Sequence, residues 1–116
     1  MTSHRAAGEA VEAALVEAGL RVALDEGDIS PPCAYLELWT DDPETGTLDG
    51  SHPVTVAVHW IPVRGLRSFY ADLDAADTIV AALVPFATVA NMSRATVLVG
   101  ETTSWPCLRW EAIVQP

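Results

Sequence analysis

The sequence contains no lysine: its six cations are all arginines, set against 16 carboxylates, for a net charge of −10. Such a surface repels phosphate, which argues against sequence-tolerant nucleic-acid binding. Cysteine is nearly as scarce. Cys33 and Cys107 are too few for a disulfide scaffold, and no pair of ligands has the close spacing that a zinc site needs, so Cys33, Cys107 and His59 are not expected to bind metal. Buried thiols that stay reduced are the expectation. Long apolar runs are missing too. The longest uncharged stretch, residues 78–93, is interrupted by Pro85 and Asn91 and is too short to cross a bilayer. Glu9, Glu12 and Glu17 stand where a signal peptide would have its apolar core, so the chain is expected to be cytosolic where it is made, with no membrane partner.

Catalytic signatures are absent as well. There is no G-x-S-x-G and no glycine-rich phosphate loop. His4 lies near the N-terminus, His52 in a loop, and His59 mid-strand between Val58 and Trp60, where pairing with a neighbour or facing solvent is expected. None has a nucleophile and a third, orienting group at readable spacing, so neither an enzyme nor a cofactor is expected. The acidic loop with Asp41, Asp42, Glu44 and Asp49 invites a calcium reading, but an EF-hand alignment from Asp41 puts Pro43 at position three and His52 at position twelve. A bidentate Glu is required at the last of these, so a solvated loop is the better account.

What is present centres on residues 53–63, PVTVAVHWIPV. Val54, Val56, Val58 and Trp60 alternate with Thr55, Ala57, His59 and Ile61, the pattern of a half-buried strand. A helical stripe follows in Leu66, Phe69, Tyr70, Leu73, Val80, Leu83 and Val84, broken only by Asp77. Pro85, with no amide hydrogen to donate, ends that helix. Upstream, residues 4–18 read as a helix with Val11, Ala14, Leu15 and Ala18 inward and Gly19 as its left-handed cap. Residues 20–24 read as a short strand with DEGD at 25–28 as its turn. Pro31-Pro32 leads into a strand over 33–40, whose core side is Ala34, Leu36, Leu38 and Thr40, since Glu37 prefers water. Residues 96–101 and 107–114 close the chain as a hairpin. Trp105, before Pro106, is placed in the turn between them and read as an exposed interface anchor.

At 116 residues this makes one domain. The expected fold is α+β: a mostly antiparallel sheet of four to five strands with two α-helices on one face, the other face partly open to water or a partner. The expected core is Val54, Val56, Val58, Trp60, Leu73, Val80, Leu83 and Trp110.

Taken in order, the helix ending in GLRVALDEGDISPPCAYLEL, the strand VTVAVHWIPV, the alanine-rich acidic helix DLDAADTIVAAL and the terminal hairpin form a pattern covering nearly the whole chain. It resembles the tail terminator proteins of long flexible-tailed bacteriophages infecting actinobacteria, and the arginine-, alanine- and valine-rich composition agrees with a GC-rich genome. The resemblance implies a virion structural protein at the tail–neck junction. It would form a homo-hexameric ring that caps the tail tube, contacting the tail tube protein below and a neck or head-completion protein above. It brings no catalytic residues. A head-completion or stopper protein is the nearest alternative, and a small non-viral ligand-binding or regulatory domain the more distant one. DNA would pass through the ring without specific binding, so part of the acidic set is expected to face the lumen: either the loop carrying Asp41, Asp42, Glu44 and Asp49, or Glu9, Glu12 and Glu17.

Overall fold

The central strand forms as its alternation demands. In the computed structural model, which describes residues 4–41, 54–63, 69–100 and 102–114 (for 38–41 and 69 the backbone only), Val54–Ile61 is the middle strand of five. In chain order the elements are helix α1 (His4–Glu17), strand β1 (Val22–Ala23), a single 3-10 turn (Glu26–Asp28), strands β2 (Cys33–Asp41) and β3 (Val54–Ile61), helix α2 (Phe69–Leu83), and strands β4 (Ala87–Val99) and β5 (Thr103–Val114). The sheet order is β1-β2-β3-β5-β4. All neighbours are antiparallel except β1 and β2, so 25–28 is not a hairpin turn: the chain crosses back through the 3-10 turn and the cis Pro31-Pro32 bond to run beside β1.

Helix α1 buries Ala7, Val11 and Leu15, one residue per turn. It ends as the glycine foretold. Gly19 takes φ +90°, the Leu20 amide donates to the Leu15 carbonyl at 3.1 Å, and the Gly19 amide donates to the Val16 carbonyl at 3.0 Å, a Schellman cap. Helix α2 is turned from the expected face. Ala76, Ile79 and Leu83 are buried against the sheet, whereas Leu73 is 45 % exposed and Tyr70 and Val84 more so. The buried stripe lies about one residue, or roughly 100°, from the predicted one, because small alanines at 75 and 76 let the helix approach closely while carrying little hydrophobic signal. Asp77, the apparent interruption, is exposed.

Both helices contribute to one cluster with a single face of the sheet: Ala34 and Leu36 from β2, Val54, Val56 and Val58 from β3, and Trp110, Ala112 and Val114 from β5. Of the expected core, Val54, Val56, Val58, Leu83 and Trp110 are buried, Trp60 and Val80 are partly buried against the same cluster, and Leu73 is outside it.

The terminal hairpin is much longer than the sequence suggests. Asn91 sits at φ +57° and the ladder slips between Ala90 and Ser93, a bulge that hides the alternation of β4. Pro106 is accommodated within β5 because β3 pairs with β5 only as far as Leu108. Beyond that point β5 has a neighbour on one side alone. Trp105 is therefore not in a turn. It continues β5 opposite Val97 and is partly buried against a second cluster of Ala23, Cys33, Tyr35, Ile61, Val97 and Cys107 on the helix-free face. That cluster draws residues from β1 at one edge and β4 at the other, so the sheet coils strongly at this end.

Candidate functional site

The helix-free face carries the polar side chains of the three central strands. Strand register aligns Tyr35, His59 and Arg109 in one row and Glu37, Ala57 and Glu111 in the next. Long side chains on diagonal positions of adjacent strands reach one another. His59 Nε2 lies 3.7 Å from Glu37 Oε1, and Arg109 lies 3.4 Å from Glu111 Oε1 on its own strand. The bulge aims Asn91 back across the edge, where its side-chain amide donates to Glu111 Oε2 at 2.7 Å. Asparagine is among the few residues other than glycine that tolerate the left-handed backbone this needs.

His59 is the buried polar group of this face, 5 % exposed. Its Nδ1 is 3.3 Å from the Tyr35 carbonyl, and its ring sits 5.8 Å from the Tyr35 ring, tilted by 35°. Burial lowers its pKa, and the nearby Arg109 charge adds to this, against the opposing pull of Glu37 and the Tyr35 carbonyl. A neutral imidazole has one N–H, yet both of its neighbours here are acceptors. If Nδ1–H donates to Tyr35, Nε2 presents a lone pair toward the Glu37 carboxylate. The same surroundings act on Tyr35, whose phenol is pushed up by burial and then by Glu37, Glu26 and Asp25.

These groups line a cavity of about 270 Å³ bounded by Glu26, Tyr35, Glu37 and His59 on one side and by Thr96, Val97 and Leu98 of β4 on the other. It opens because the coiling sheet brings the β4 edge opposite the 3-10 turn. Its lining is rich in acceptors and, among the described residues, holds no cation. Among the described residues no three His, Cys, Asp or Glu side chains are placed to hold a metal ion. A second cavity, about 370 Å³, lies between the first turns of α1 and the sheet over Leu36 and Val56, and offers mainly apolar surface.

Of the residues singled out from sequence, Trp105 lies beside the second cluster and Asp41 ends β2. Asp42, Glu44 and Asp49 lie outside the described residues, as does His52. His4 opens α1, exposed. Cys33 and Cys107 are both buried thiols of one cluster, but β3 runs between their strands. Burial raises the Cys33 pKa. Glu26, Glu37 and His59 were not singled out as a group. For Glu37 and His59 the signal is the polar half of three strand alternations, Tyr35-Glu37, Ala57-His59 and Arg109-Glu111, which acquires meaning only once the strand order is known, and Glu26 joins them from the 3-10 turn. No family model matches this chain, and no curated protein is significantly similar to it.

Proposed function

We propose that this chain is a tail terminator of a long flexible-tailed phage of actinobacteria, a structural subunit that closes into a hexameric ring on the finished tail tube and presents the neck side to a head-completion protein. The observation that carries the reading is the chain-long resemblance from the capped first helix through Pro31-Pro32-Cys33 to the terminal hairpin. The architecture agrees with a ring subunit: both helices cover one sheet face, while the other bears a polar network and an acceptor-lined cavity. Head-to-tail contacts between different surfaces close into rings when the rotation permits.

Tail-tube protein polymerised with and without the purified chain tests this. The expected result is that tubes stop growing and carry the chain at one end. Binding to portal complexes and not to tubes would assign the chain to the head-completion class, and binding to neither would leave the small ligand-binding domain as the better description.

A further inference from the structure

The cavity on the helix-free face is lined by acceptors. His59 is 95 % buried and lines it, flanked by two acceptors with only one proton to share, and Glu26 and Glu37 add two carboxylates with no cation among the described residues to answer them. At 3.7 Å the His59–Glu37 contact is outside hydrogen-bond range, so the Glu37 carboxylate can still accept from another donor. A metal ion is disfavoured by the donor set, since among the described residues no three ligands converge. An organic cation that spreads several N–H groups suits it: a guanidinium can donate to a carboxylate and to an imidazole lone pair at once.

The chain carries such a group, exposed. Arg5 pairs with Glu9 at 2.7 Å, Arg109 with Glu111, and Arg21 donates to Ser30, whereas Arg94 makes no such contact among the described residues. Arg94 stands opposite Leu108 on β4 and so projects on the helix side of the sheet, the side opposite the cavity. Met92, 61 % exposed, lies two residues before it on the same strand, whereas Leu98, 67 % exposed, lines the cavity itself. An arginine beside an exposed apolar residue is a common make-up of an interface centre.

We infer that Arg94 of a second copy of this chain inserts into the cavity formed by Glu26, Glu37 and His59, as the contact between neighbouring subunits. Donor and acceptor lie on opposite faces of one sheet. One chain therefore cannot satisfy itself, and a two-fold dimer would have to offer both faces to the same partner at once. The contact is head-to-tail and propagates from copy to copy. It rests on the ring reading above and gives that reading its subunit contact.

Charge reversal tests it, read by mass photometry of the full chain in the salt at which it assembles, or on tail-tube ends if salt alone does not suffice. Arg94 and Glu37 are both exposed, so R94E and E37R should fold, as circular dichroism would verify. Each variant alone is expected to lose assembly by at least tenfold in concentration. An equimolar mixture of the two should restore it, since alternating copies then join opposite charges at every contact, and the double variant should do the same on its own. Single variants that assemble like the natural chain, or a mixture and a double variant that both stay dissociated, would overturn the contact and leave the ring reading standing. A natural chain that remains monomeric in every salt and on tubes would overturn the ring reading and this contact with it.

Discussion

An imidazole buried between a carbonyl and a carboxylate makes His59 a residue through which pH acts on this fold. Its pKa in the folded chain lies below the ordinary value of 6.5, with burial as the main cause. The unfolded chain therefore takes up a proton first as pH falls. The stability contributed by keeping His59 neutral is fully present above about pH 6.5 and is lost as pH drops from there toward the folded value. Urea unfolding at several pH values is expected to show this loss in the natural chain and a smaller one in His59→Gln; equal slopes would mean that another group carries the dependence. At the same scale, β3 separates the two cysteines by two strand spacings, roughly 9.5 Å, beyond the ~7 Å that a disulfide spans. Air oxidation of the folded chain should leave both thiols titratable once it is denatured, and a monomeric disulfide would contradict the register.

Among the elements, α2 gives the sharpest check. Ile79 is fully buried and Leu73 is 45 % exposed, so Ile79→Ala should cost about 2–5 kcal/mol and Leu73→Ala well under that. A reversed order would restore the helix face read from sequence. The cap of α1 is a second check: Gly19 has open space around it but φ +90°, so Gly19→Ala should cost about 1 kcal/mol through backbone strain alone. Trp105→Ala should now cost about 2 kcal/mol, because Trp105 is partly buried in β5 and not poised in a turn; an unchanged unfolding midpoint would return it to the surface.

The elements also show where sequence sufficed. Alternation in β3, the Gly19 cap and the helix stop at Pro85 depend on neighbours in the chain, and they were legible there. The true face of α2 depends on Ala75 and Ala76, whose burial follows from what packs over them. The length of β4 was hidden by the bulge at Asn91, and that of β5 by Pro106, which is tolerated only because β3 has ended. The candidate site was the least legible part. Glu26, Glu37 and His59 meet only through the pairing of distant strands and the coiling of the sheet.

At the scale of the whole molecule, charge and layering decide what the chain can do. With −10 per subunit and no lysine, a ring of six would carry −60 and leave few cations for any surface. The assembled protein is expected not to retard duplex DNA even at low salt, and retardation, or a lumen lined by Arg21, Arg64 and Arg109, would contradict the account of its charge. Like charges on neighbouring subunits also oppose assembly, less so as salt screens them, so rings should be favoured by high salt or by a tube end. The most direct measurement is electron microscopy of tail tubes incubated with the purified chain, paired with the mass of the complex released from their ends. Six copies of a 12.4 kDa chain, about 74 kDa, seated as a six-fold ring at one tube end, is the expected result. Bare tube ends in the presence of excess chain would contradict it.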